Sequence, residues 1–169
     1  MIGHLISGVE KIIRSLFPSG KTGERIGGGL LVVIVVAVSI AVPGGILYLA
    51  YHISFYLGLA VESFMCYQIL ATKSLKVESD RVYQEIQTGD IARARKAVSM
   101  IVGRDTQNLT IEGVTKAAVE TVAENTSDGV IAPLFYMVIG GALLGFGYKA
   151  VNTMDSMVGY KNEKYQYFG

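Results

Sequence analysis

The sequence predicts an all-α, polytopic membrane protein with a transmembrane helical hairpin, a cytoplasmic helical region and a broken or re-entrant apolar segment. Three observations predict it. Residues 26–61 contain no Lys, Arg, Asp or Glu, and neither do residues 129–148. Between these runs, residues 73–128 carry eight Lys/Arg and nine Asp/Glu. In that middle region apolar residues recur at three- and four-residue spacing, the period of a helix with one buried face.

Composition agrees. Of 169 residues 51% are apolar and only 17% charged, against about 25% charged in an average soluble domain. Mean hydropathy is +0.42, too apolar for a disordered chain. Fifteen Lys/Arg against fourteen Asp/Glu leave a net charge of +1, which argues against a nucleic-acid binder with its basic excess. The single cysteine, Cys66, excludes an internal disulfide framework and a cysteine-based zinc site.

Residues 1–17 read as an amphipathic helix, with Ile2, Leu5, Ile6, Val9, Ile12, Ile13 and Leu16 on one stripe. Next to a membrane-like run, the stripe is expected at a membrane interface; a core-facing helix is the competing expectation. Residues 18–23 form a turn by composition. Ser19-Gly20-Lys21-Thr22 looks like the end of a phosphate-binding loop, but Ser15 stands where that motif needs glycine and a helix precedes it. The motif requires a preceding strand, so it is rejected.

Residues 26–66 are the expected hairpin. About 20 residues cross a bilayer, and Pro43-Gly44-Gly45 is the natural break between Ile26–Val42 and Ile46–Cys66. The stretch before the run is long for the n-region of a signal peptide. A buried helical hairpin of a soluble protein is the other alternative, and a continuous run of Leu, Val and Ile with no polar face disfavours it. His52 is expected to pack rather than ligate, and Glu62 to reach water near the second boundary.

Residues 67–128 are the expected cytoplasmic region. The second crossing is expected to continue to about Gln87. Gly89 then ends it and Asp90 caps a helix over Ile91–Val102, closed by Gly103; Thr110 caps another over Ile111–Glu124. Arg93, Arg95 and Lys96 form a basic cluster: either a solvated face or a seat for an anionic ligand or lipid headgroup. In residues 129–148, Pro133, Gly140, Gly141, Gly145 and Gly147 predict a broken or re-entrant segment. Irregular backbone at membrane depth is tolerated where protein buries it or where it lines a cavity. Residues 149–169 are a polar tail rich in Tyr, Asn and Gly. Lys11, Arg14, Lys21 and Arg25 precede the first crossing and eight more basic residues follow the second, so the positive-inside rule places both flanks in the cytoplasm.

Chemistry concentrates in three clusters. Glu120, Glu124 and Asp128 recur at four-residue spacing; on a helix such like charges repel, and a divalent cation would remove the conflict. Magnesium is usually held by one or two carboxylates plus substrate phosphates. An acidic, solvated face is the alternative. Asn125 and Gly129 add acceptors and a turn beside the apolar segment. The second cluster is Gly103-Arg104-Asp105-Thr106, where Arg104 could grip phosphate or carboxylate with its planar fork. The third runs from Tyr148 to Lys161 and holds Lys149, Asn152 and Asp155. Anchoring of Tyr and Lys at a membrane surface is its simpler reading. His4 and His52 lie far apart, and no HExxH, CxxC or Ser-His-Asp order occurs.

Together these clusters resemble the CobD/CbiB family of cobalamin biosynthesis, the adenosylcobinamide-phosphate synthases. The matching stretches are Lys73-Ser74-Leu75, Gly89-Asp90 with Ala92-Arg93-Ala94-Arg95, Val102-Gly103-Arg104-Asp105-Thr106, Ala118-Val119-Glu120, Glu124-Asn125-Thr126-Ser127-Asp128-Gly129, the run Tyr148–Tyr160, and Phe168-Gly169. The family is usually nearly twice as long, and this chain reads as an internal fragment lacking both ends.

The resemblance implies a ligase of the inner (cell) membrane. It would join aminopropanol or its phosphate to adenosylcobyric acid, with ATP and Mg2+ required and a corrinoid as substrate. Activation of the corrinoid carboxylate as an acyl phosphate is the expected route. Under this resemblance Glu120, Glu124, Asn125 and Asp128 are the expected catalytic residues. Glu124, Asp128 and Asp155 are the expected metal ligands, and Arg104, Asp105, Lys149, Asn152 and Lys161 the expected substrate and phosphate contacts. A shared site needs the carboxylates and the polar tail on one side of the membrane, which a re-entrant 129–148 would allow. Membrane lipid is an expected partner, nucleic acid is not, and a homo-oligomer is left open. The competing class is a non-catalytic membrane-embedded interaction subunit or a transporter fragment, suggested by the Gly141/Gly145 pair and the broken apolar segment.

Overall fold

Among the described residues every regular element is helical: α1 (Ile2–Leu16), α2 (Lys21–Ile53), α3 (Phe55–Ile69), α4 (Thr72–Gln87), α5 (Ile91–Ser99), α6 (Ile111–Thr126), a π-turn (Ser127–Ile131) and α7 (Ala132–Val158). The structure is a computed structural model. It describes all residues but Met1, Pro18, Ser19, Ala71, Arg104, Lys161 and Glu163, with the backbone alone at 72–74. Two units form, Met1–Ile69 with Pro133–Gly169, and Leu70–Ala132.

In the first unit part of the stripe of α1 is covered by protein. Ile6 and Ile13 join Leu31 and Val35 of α2, Ala150, Met154 and Val158 of α7, and Phe168 in one buried cluster. The core-facing alternative therefore describes these positions, while Ile12 and Leu16 stay exposed. Packing wins at Ile6 and Ile13 because α2 and α7 present apolar surface to them.

The expected break at Pro43-Gly44-Gly45 does not occur. The first leg is a continuous 33-residue helix with Pro43 inside it, and the chain turns at Ser54, whose backbone is extended. A proline removes one helical N–H, whereas opening the chain mid-run would strand several backbone groups where lipid offers no partner. After the turn Gly58 meets the Tyr51 ring, a contact that leaves no room for a Cβ. His52 is exposed and stacks on Tyr48, ring centroids 6.1 Å apart.

Two helical stretches, Lys21–Ile53 and Ile111–Val158, are long and apolar enough to cross a membrane. Only 28% of the apolar window in α2 is buried. The core helix of a soluble protein would be mostly covered, and here Val33, Leu49 and Tyr48 face outward. The protein is an all-α membrane protein. The second stretch is not one straight rod. The backbone leaves helical geometry at Gly140 (φ −145°, ψ 29°) and Gly141 (φ 62°, ψ −160°). The rings of Tyr136 and Tyr148 then stack with centroids 5.0 Å apart, so the segment folds back on itself, as its Pro/Gly pattern predicts.

The tail closes on α1 and α2. Arg14 lies over the Phe168 ring at 4.2 Å and donates to the Lys164 carbonyl at 2.9 Å. Gly28 admits the Phe168 carbonyl against its Cα, where a Cβ would overlap it.

The second unit packs α4, α5 and α6 around Val82, Ala94, Ala97, Val98, Val114 and Ala117. Small side chains let these short helices approach closely. Asp90 caps α5, accepting from the N–H groups of Ala92 (2.9 Å) and Arg93 (3.2 Å), after a reversal at Gly89 with φ 74°. Three expected boundaries change. The helix expected to reach Gln87 is interrupted at Leu70, where the two units meet in sequence. Helix α5 stops at Ser99 rather than Val102, because Met100 and Ile101 donate to carbonyls three residues back, a tightened last turn. Helix α6 runs two residues past Glu124, to Thr126.

Candidate functional site

Helix α6 starts where the Thr110 hydroxyl accepts from the Gly113 N–H at 3.1 Å, satisfying one of the four orphan donors of a helix start. Its inner face is set by Val114 and Ala117, both fully buried. Glu120, Glu124 and Asn125 are exposed. Lys116 reaches Glu120 at 3.9 Å. Exposure at this level makes the pair worth little stability.

The helix then widens. Ala132 donates its N–H to the Ser127 carbonyl, five residues back, and Asp128 sits half-buried inside this π-turn beside buried Gly129. Pro133 follows, and a proline has neither an N–H for the carbonyl four residues back nor room for its ring against it. A wider turn before it removes that conflict. Such turns are frequent at functional sites. Periodicity does not reveal it, but a proline four residues after Gly129 in a polar Asn-Thr-Ser-Asp-Gly string is a usable signal.

No group of three or more His, Cys, Asp or Glu side chains that could hold a metal occurs among the described residues. Glu124 and Asp128 stand about one helical turn apart in the second unit, and Asp155 belongs to the first. Two hard oxygen donors, with the rest supplied by water and phosphate, fit magnesium and suit softer metals poorly.

Of the expected Gly103–Thr106 cluster, Asp105 and Thr106 line an open groove of about 460 Å3 together with Ala92, Arg95, Lys96, Ser99 and Gln107. Arg104 lies outside the described residues. Arg95 laces the loop to α5: its Nε donates to the Leu109 carbonyl at 2.7 Å, and its carbonyl accepts from the Thr106 hydroxyl at 3.3 Å. Asp105 accepts the Gln107 N–H at 2.9 Å.

The polar tail expected after residue 148 is helical to Val158. Ala150, Met154 and Val158 face the core, which turns Asp155 and Ser156 outward and leaves Lys149 and Asn152 half-buried. Gly159 closes the helix on the Asp155 carbonyl at 3.0 Å. Lys161 lies outside the described residues.

One carboxylate gains importance. Glu62 accepts from the Tyr51 hydroxyl at 2.6 Å, and its Oε1 lies against Gly141, 2.7 Å from where a Cβ would stand. It therefore sits at the break in α7 rather than simply reaching water. Its isolation at the end of a charge-free run was the signal, since an ionisable group at membrane depth calls for a partner.

The molecule is thus a helical membrane protein whose exposed carboxylates run along α6 into a π-turn, ahead of a folded-back apolar segment. The chain belongs to the CobD/Cbib protein family, whose sequence profile matches residues 1–169. It is 51% identical to a protein of Listeria monocytogenes named cobalamin biosynthesis protein CobD, over 99% of this chain and 53% of that one. A CobD of Clostridium perfringens is 49% identical over 99% of this chain and 52% of its own length. A protein of Salmonella typhimurium named cobalamin biosynthesis protein CbiB is 48% identical, again over 99% and 52%. The chain thus spans about half the length of the curated relatives it matches. No solved structure matches it.

Proposed function

We propose that this protein acts in cobalamin biosynthesis as an acid–amine ligase of the inner membrane. It joins aminopropanol or its phosphate to adenosylcobyric acid, giving cobinamide or its phosphate, on the cytoplasmic face. The observation that carries this reading is the Glu120/Glu124/Asp128 series entering the π-turn, in a chain about 50% identical to proteins named for cobalamin biosynthesis. Basic flanks on both ends of the first helix pair support the cytoplasmic orientation.

Glu124 and Asp128 hold Mg2+ in this reading, with water and phosphate completing its shell. Glu120 and Asn125 orient the amine. ATP, when bound, supplies the activation that a carboxylate lacks in water, and catalysis then rests on positioning and charge stabilisation. Lys149 and Asn152 contact substrate from the tail.

The test uses the full-length protein in membranes with adenosylcobyric acid, aminopropanol phosphate and Mg-ATP, and product read by mass spectrometry. Cobinamide phosphate is expected, and Glu124→Gln abolishes it without changing membrane insertion. Undiminished turnover in Glu124→Gln removes that residue from the mechanism. Absence of product from the unaltered protein overturns the ligase reading in favour of a non-catalytic membrane subunit.

A further inference from the structure

A separate groove of about 440 Å3 runs between α4 and α5 in the second unit. The short reversal at Thr88–Gly89 makes these helices antiparallel neighbours, packed through Val82, Ala94 and Ala97. Val77, Arg81 and Glu85 stand at four-residue spacing on α4, and Arg93, Lys96 and Met100 share one face of α5 and its C-cap. Three cations therefore line the groove against one half-buried carboxylate, Glu85. Arg81 and Arg93 each keep one nitrogen 3.4 Å from an acid, Glu78 and Asp90 respectively, and neither acid lines the groove. Such exposed pairs are worth little, and a guanidinium has five N–H donors to share. Lys96 has no ion-pair partner among the described residues.

Water would account for the cations but not for what stands beside them. Met100 is 70% exposed and Val77 50% exposed, and the antiparallel pairing puts both at the end away from the turn. Basic side chains next to exposed apolar ones form a surface suited to a membrane interface, where the charges meet anionic headgroups and the apolar groups enter the acyl boundary. We propose that this groove docks on the headgroup of an anionic phospholipid, its phosphodiester held by Arg81, Arg93 and Lys96 and its acyl boundary met by Met100 and Val77. The arginines supply planar forks that match two phosphate oxygens, and Lys96 a mobile point charge. The second unit continues at both ends, Leu70 and Ala132, into the membrane unit. That tether keeps lipid at high effective concentration, so a contact of modest intrinsic affinity is populated. The contact rests on nothing in the ligation proposed above.

The test uses the full chain in nanodiscs. The sequence has no tryptophan, so Met100→Trp introduces a single indole reporter. In phosphatidylcholine discs containing phosphatidylglycerol with brominated acyl chains, its emission is expected to shift to the blue and be quenched. In discs with the same fraction of brominated phosphatidylcholine and no anionic lipid, it stays at the water-exposed wavelength and unquenched. Salt at about 0.5 M returns the first state to the second by screening. Arg81→Ala, Arg93→Ala and Lys96→Ala are each expected to weaken docking roughly fivefold, the worth of one cation at an anionic surface. Acylation of Lys96 by a water-soluble amine reagent, read by peptide mass spectrometry, supplies a check on the unsubstituted chain: phosphatidylglycerol slows it and phosphatidylcholine alone does not. Equal quenching in both lipid compositions, or quenching unmoved by the three substitutions in variants with unchanged helical circular dichroism, overturns the proposal. Protection of Lys96 in phosphatidylcholine discs by inorganic phosphate or ATP, as complete as that given by phosphatidylglycerol, assigns the groove to a soluble anion and overturns the lipid contact.

Discussion

Tyr136 and Tyr148 stack with ring centroids 5.0 Å apart and planes 21° from parallel. Twelve residues of straight helix would separate their backbones by about 18 Å. The stack is therefore evidence that the apolar segment folds back on itself. Its first arm, Ala132–Gly140, would extend only about 13 Å as a helix, less than half of the hydrocarbon core. In a Cys66→Ser background, the double variant Tyr136→Cys/Tyr148→Cys is expected to cross-link within one chain through a short bis-maleimide. Failure to cross-link in folded protein would contradict the return.

Gly141 makes that return possible. Its φ of 62° with ψ −160° lies in a region open essentially to glycine alone, and the Glu62 carboxylate occupies the space a Cβ would need. Gly141→Ala is expected to destabilise the protein by roughly 1–3 kcal/mol, read as a lower thermal midpoint in detergent. A midpoint equal to wild type would show that the break lies elsewhere.

The tail–α1 contact depends on pH in two directions. Around Glu10, partial burial pushes the carboxyl up, but Lys164 (3.1 Å) and Arg14 (2.9 Å) outweigh it and leave the group below its ordinary value of 4.5. A depressed carboxylate stabilises the fold above its unfolded value, and that contribution is lost as pH falls below about 4.5 through the folded value. Lys164 is shifted upward by its bond to Tyr165 and then by Glu10. Its contribution holds below 10.5 and fades as pH rises beyond. Thermal midpoints at about pH 6 and pH 3.5 should separate more in wild type than in Glu10→Gln. Equal separations would remove Glu10 from the acid response.

Asp90 is the single side chain that starts α5, with two N–H groups on its Oδ1. Asp90→Ala is expected to cost about 1 kcal/mol, seen in a denaturant midpoint, while Asp90→Asn retains most of the stability. A stability loss as large in the asparagine variant would assign the effect to charge rather than capping.

Charge-free runs, helical periodicity and the Asp90 and Thr110 caps were legible because each is a local property. A few neighbouring residues decide whether a backbone can satisfy its own hydrogen bonds. Gly140 and Gly141 likewise announced a break, since glycine permits what other residues resist. Pro43 misled for the converse reason. Its local preference was overruled by the cost of opening a long apolar helix, and the turn fell at Ser54 instead.

Relations between distant side chains needed the folded chain. The stripe of α1 marks an apolar surface without saying whether lipid or protein covers it; the approach of Leu31, Ala150 and Met154 settled Ile6 and Ile13. Glu62 was visible as an isolated carboxylate, but its partners stand eleven and seventy-nine residues away, at Tyr51 and Gly141. Asp105 and Thr106 were readable as polar sequence, and became part of a groove only when Arg95 tied residues 106 and 109 to α5. Periodicity reports which faces are apolar or charged; which faces meet depends on packing among elements far apart in the chain.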